Sequence, residues 1–274
     1  SLWAIESNYE HIISRGVSEI NKYYQNVNLI IFDQYDLVTS GGRVHGKITI
    51  NQNKFDILSA QVPVGQNHTF REMGVDNVFD QLIKDKMLKQ IKWFVGQGLA
   101  SSFPINKNKQ FIDKRVSVTC LVVPGSYTYQ QNEFVDGFSR LKIATLNIIP
   151  VEHVLTFLFE HELGHCVDVE KGHKTFAYAE NQMEIFADIM AIIKLMTYYG
   201  DTPLIDIISR LRFLRTLYGL DDGTKYYLPL KLVDELKRRI SIIRKDRALS
   251  DVSHDELRLL AKELVYGDKK KSIR

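Results

Sequence analysis

The pattern of apolar and polar positions changes character at Pro150. Upstream, β-branched runs are interspersed with helical stretches. Positions 3–24 predict an amphipathic helix whose apolar positions are Ile5, Ile12, Ile13, Val17 and Ile20. Residues 28–33, rich in Ile and Phe, predict a strand. Gly41-Gly42 predicts a hairpin turn between Tyr35–Thr39 and Arg43–Ile50, with Val44, Gly46, Ile48 and Ile50 spaced for one strand face. A long helix is expected over 76–97, carrying Val78, Leu82, Met87, Ile91 and Phe94. Arg115–Val123 and Leu141–Ile149 are further strand candidates, the first followed by Pro124-Gly125 and the second by Pro150.

From Pro150 onward the pattern is helical. Pro150 suits a first helical position, and Glu152 favours the positive end of a helix. Helices are expected at about 150–169 and 179–199, another opening at Thr202-Pro203, and another over Leu230–Arg247. Ser253 and Glu256 have capping-box spacing and open the last helix. Strands and helices first, then helices alone, predict an α+β fold: a small mixed sheet with helices over 1–149, followed by a helical lobe over 150–274.

Composition narrows the function classes. With 274 residues, 45% of them hydrophobic, the chain is long enough to bury a full core. A net charge of +3 is too small to imply a nucleic-acid partner. Cys120 and Cys166 cannot make a disulfide scaffold; they could pair with each other, but both read as buried free thiols. No apolar run reaches membrane-spanning length, and no secretory signal pattern opens the chain.

The chemistry concentrates at His161-Glu162-Leu163-Gly164-His165, an H-E-x-x-H segment inside a predicted helix. Residues four apart share a helix face, so His161 and His165 can offer ring nitrogens to one ion. Glu162 sits about 100° round the helix, close to that ion without being required as a ligand. Catalytic zinc takes three protein ligands and keeps a fourth position for water. Glu184, on the next helix, is the candidate third ligand, brought in by an antiparallel helix pair. Asp188, one turn on, can bond the second nitrogen of His161, and Ala187 and Ala191 permit close helix approach. The expected function is zinc-dependent cleavage of a protein or peptide substrate, with Glu162 as general base. Tyr178 is the first choice of oxyanion donor and His173 the second. A chance H-E-x-x-H in this length has a probability on the order of one per cent.

These residues resemble the gluzincin metallopeptidases, which pair H-E-x-x-H with a later Glu. His161 to Asp168, with Glu184 and Tyr178, is similar to the anthrax lethal factor-like peptidases, whose helix reads H-E-x-G-H-x-x-D. That family places its tyrosine one residue further from the Glu, where this chain has Ala177. Glu184-Ile185-Phe186-Ala187-Asp188-Ile189-Met190-Ala191 also resembles the E-x-x-A-[DN]-x-x-A of ImmA/IrrE and related peptidases. The metzincin pattern fails, because Lys171 stands where its third His would be. The resemblance covers about residues 150–195. It implies a single zincin-like unit of two lobes, peptidase chemistry, and action either in the cytosol or as an effector delivered into a host cell.

Two rival readings come from other classes. One is a non-catalytic metal-binding regulatory or interaction module, against which the intact Glu162 argues. The other is a nucleic-acid binder using Lys237, Arg238, Arg239, Arg244, Lys245 and Arg247 with the tail Lys269, Lys270, Lys271 and Arg274. No stacking aromatics interleave with those charges, so a solvated face is the preferred reading. Asp168 is a candidate for supporting a metal ligand, His153 reads as structural or exposed, and His11, His45, His68 and His254 show no clustered partners.

Overall fold

The computed structural model describes residues 2–24, 27–40, 43–50, 59–64, 101–107, 118–123, 149–170, 180–217 and 228–267. The chain forms two compact units. One comprises Ser1–Asn147 with Val169–Lys171, and the other Ile148–Asp168 with Gly172–Arg274.

In the first unit, α1 spans Leu2–Tyr23. It buries Ile12, Ile13 and Ile20, the apolar face its spacing predicts. Five extended backbone stretches follow: β1 (Val27–Ser40), β2 (Arg43–Ile50), β3 (Ser59–Val64), β4 (Ser101–Lys107) and β5 (Val118–Val123). Their ladder order is β3-β2-β1-β5-β4, with Ser40 opposite Arg43 across the Gly41-Gly42 position. Of their side chains only Leu29, Ile31 and Val122 are described, all buried. The helix expected over 76–97 and the strand over 141–148 lie outside the described residues.

The expected α+β fold, a zincin-like body built on a small mixed sheet, is corrected. The part of the structure that carries the fold is 84% helical, and the five extended stretches stand outside it. The physical reason lies in the helices after residue 150. They bury their apolar faces against one another, so the body carrying the candidate site has a helical core and needs no sheet layer to cover it.

That body contains α2 (Val151–Glu170), α3 (Glu180–Tyr199), α4 (Leu204–Leu217), α5 (Leu230–Asp246) and α6 (His254–Tyr266). Helix α3 is its spine. Every residue from Ile185 to Met196 is buried, which fits an apolar sequence lacking a polar face. Helices α2 and α3 run antiparallel. The Tyr199 hydroxyl at the end of α3 donates to Glu152 Oε1 in the first turn of α2 at 2.9 Å. The Thr156 hydroxyl lies 2.9 Å from the same tyrosine oxygen. His153 stacks on Tyr199 and bonds Thr202 Oγ1 through Nδ1 at 3.0 Å, a structural role in agreement with its reading. Burial holds its pKa below the ordinary histidine value, against the pull of Glu152.

Helix α5 is amphipathic and buries Val233, Leu236 and Ile240. Its basic face is engaged with acids. Arg238 and Arg239 pair with Glu235, Arg239 also with Glu263, Arg244 with Asp201, and Lys237 with Asp206. Arg247, just beyond the helix, pairs with Glu256. These are exposed pairs that add little stability each, and they account for most of the basic run as a solvated face. The tail from residue 268 is outside the described residues. Among the described residues no helix is long and apolar enough to cross a membrane.

Ser253 caps α6 as its spacing predicts. Its hydroxyl accepts from the Glu256 N–H at 3.2 Å, and Glu256 reaches back to the Ser253 N–H at 3.2 Å. Replacing Ser253 with Ala removes one half of this reciprocal pair. The expected loss is about 1 kcal/mol of unfolding free energy, read from the urea midpoint at unchanged slope. An unchanged midpoint would show that α6 does not depend on its cap.

Candidate metal centre

Positions four apart on α2 carry His161 and His165 onto one face, and the antiparallel α3 presents Glu184 to them. The two histidine Nε2 atoms are 3.2 Å apart. Glu184 Oε2 lies 3.3 Å from His161 Nε2, and Glu184 Oε1 lies 3.5 Å from His165 Nε2. Three ligand atoms of one tetrahedral ion with bonds of about 2.0–2.1 Å sit about 3.3–3.4 Å from one another. The imidazole nitrogens stand close to that separation, and one donor atom from each of the three residues lies within 4.8 Å of the others, so the set could hold a single small cation. Among the described residues His161, His165 and Glu184 are the group that could hold a metal ion, and all three were expected in that role.

Asp188, one turn beyond Glu184, lies behind the first histidine. Its Oδ1 is 2.8 Å from His161 Nδ1, somewhat off the direction of the ring N–H. Asp188 is 2% exposed. With a proton on Nδ1 facing this carboxylate, Nε2 keeps its lone pair for a cation. In the metal-free site, burial alone would lower the His161 pKa. The Asp188 and Glu184 carboxylates overcome it and raise the value to about 10. Glu184 is moved the other way. Burial would raise its carboxyl, but His161 and His165 hold it well below the usual carboxylate range. The site is therefore strongly polar inside an apolar body, and its charges are matched by proximity.

The close approach of α2 and α3 rests on two small residues. A Cβ built on Gly164 would lie 2.8 Å from Ala187 Cα and 3.3 Å from its Cβ and its carbonyl oxygen. The first contact is against backbone and cannot be relieved by a rotamer. The small residues of α3 were expected to permit close approach, but the partner Gly164 was not singled out. Its signal was available, since glycine inside a helix costs about 1 kcal/mol relative to alanine and needs a packing reason.

Glu162 is 6% exposed on α2, between the two histidines in sequence. Tyr178 and His173 lie outside the described residues, and the side chain of Asp168 is likewise not described. Cys166, which follows His165, is fully buried and disulfide-bonded, which corrects its reading as a free thiol. His254 was read as isolated and is not, for its Nδ1 is 3.0 Å from Lys194 Nζ. No family model, curated protein or solved structure matches the chain.

Two substitutions probe this arrangement. Gly164→Ala should destabilise the fold by about 1–3 kcal/mol in chemical denaturation and lower metal uptake, because the helices must separate. Were the contact unimportant, alanine would instead stabilise the helix by up to about 1 kcal/mol, so the sign of the change decides. Asp188→Asn should weaken metal affinity about 10–100-fold in competition with a chromogenic chelator. Unchanged affinity would remove Asp188 from the site.

Proposed function

We propose that the chain is a zinc-dependent endopeptidase with a protein or peptide substrate. The observation that carries this reading is the convergence of two imidazoles and one carboxylate within 4.8 Å of one another, with Glu162 next to the first of them in sequence. Two nitrogens and one oxygen, with room for a fourth ligand, is the donor set of catalytic zinc. When bound, zinc would bring the pKa of a coordinated water near 7 and polarise a scissile carbonyl.

The protein's own groups have distinct tasks. His161, His165 and Glu184 would hold the ion. Asp188 fixes the His161 ring with its Nδ1 proton turned away from the ion. Glu162 acts as general base: a carboxylate oxygen takes the proton from the attacking water and hands it to the departing amine nitrogen. Its burial suits that work, since removal from water raises the proton affinity of a carboxylate. On the sequence, Tyr178 is assigned as donor to the developing oxyanion, with His173 as second choice.

The test is Glu162→Gln. New N-termini generated in a cell lysate should fall by at least about 100-fold, the loss typical of a missing general base, while bound zinc measured by atomic emission stays at the wild-type level. Unchanged proteolysis with zinc retained would overturn the assignment of Glu162. A wild type that binds zinc but generates no new termini would leave the metal centre as a regulatory or interaction module.

A further inference from the structure

Two helix starts meet at one hydrogen bond. His153 stands in the first turn of α2, and Thr202 stands just ahead of α4. Thr202 is 6% exposed. Its hydroxyl oxygen accepts from the Leu204 N–H at 3.4 Å and its carbonyl from the Ile205 N–H at 3.1 Å, so Thr202 caps α4 across Pro203. His153 Nδ1 lies 3.0 Å from the same hydroxyl oxygen.

The hydroxyl decides which ring nitrogen carries the proton. A buried hydroxyl proton needs an acceptor. Among the described residues, the acceptor within its reach is His153 Nδ1. Thr202 therefore donates to Nδ1, and the neutral ring keeps its own proton on Nε2. A second ring proton would go to Nδ1 and face the hydroxyl proton. The hydroxyl would then have to turn away, with no other acceptor for it among the described residues.

The groups around the ring pull in both directions. On α2 itself Glu152 favours the imidazolium, and its Oε1 also accepts from the Tyr199 hydroxyl at 2.9 Å. From α3 the Tyr199 ring stacks at 4.1 Å, and an aromatic face favours a cation too. Ahead of α4, the exposed Asp201 pairs with Arg244 of α5 at 3.3 Å. Against the charge stand burial, the hydroxyl proton and the positive start of α2. Burial prevails and holds the ring's pKa below the ordinary histidine value.

We infer that His153 and Thr202 form an acid-sensitive latch between the starts of α2 and α4, closed with a neutral ring and released when Nδ1 gains a proton. The proton binds less well in the folded chain than in the opened one. The latch therefore contributes its full stability above the ordinary histidine pKa and loses it as pH falls through the lower folded value. His153 precedes His161 by about two turns of α2, so the latch needs no ion at the metal centre.

The experiment compares the full chain with His153→Phe, which keeps a ring against Tyr199 but neither titrates nor accepts. From about pH 8 to about pH 5, the unfolding equilibrium constant of the wild type should rise about fivefold more than that of the variant, the worth of one hydrogen bond. Titrations elsewhere, the metal ligands included, act on both chains and cancel. Equal pH dependence of the two chains would overturn the latch. Nitrogen NMR of the wild-type imidazoles is the second reading, and decides alone should the variant not fold. His153 should carry its proton on Nε2 at neutral pH and titrate below the ordinary histidine value. A neutral ring protonated on Nδ1 would overturn the latch as well.

Discussion

The close approach of α2 to α3 at Gly164 and Ala187 is the constraint on which the candidate centre depends. A histidine pair four apart on one helix is a local feature and needs no partner to exist. A third ligand from another helix needs the two axes held close and in register. The missing Cβ of Gly164 provides the closeness. The Tyr199–Glu152–Thr156 cluster fixes the register at the far end of the pair, three turns from the histidines. Closeness at one level and alignment at another are enough to bring Glu184 and Asp188 onto opposite nitrogens of one imidazole.

Electrostatics then explains why such a polar group is tolerated in an apolar interior. Asp188 and His161 are almost fully buried, and burial by itself would drive each toward neutrality. The His161 pKa moves the other way because the Asp188 and Glu184 carboxylates lie within ion-pair distance. A cation at the centre would take over the positive role that protonated His161 fills without it.

Much of this was legible in the sequence for a simple reason. The two histidines, the capping box at Ser253 and the apolar face of α1 are encoded by spacing within one helix, and helical periodicity reads such signals directly. Glu184 and Asp188 were reachable one step further, by supposing an antiparallel pair of adjacent helices. What failed was non-local. The α+β expectation followed from β-branched runs ahead of residue 150, whereas the body that packs is helical, because helices fill one another's apolar faces without a sheet. The Cys166 thiol was read as free because bonding between distant cysteines leaves no trace in local pattern. His254 looked isolated because its partner Lys194 is 60 residues away.

Helix α3 shows how both polar clusters arise from one design. A helix buried on all sides can carry a charge only where another element answers it. Within α3 the ionised positions beyond the first turn are Glu184, Asp188 and Lys194. The two acids lie on one stripe and are answered by α2 through His161 and His165. Lys194 follows Asp188 by six residues, about a third of a turn away round the axis, and is answered by α6 through His254. The stripe facing α2 is balanced by the protein's own side chains. One buried helix is thus the common support of both clusters, the candidate metal centre toward its start and the Lys194–His254 contact further along.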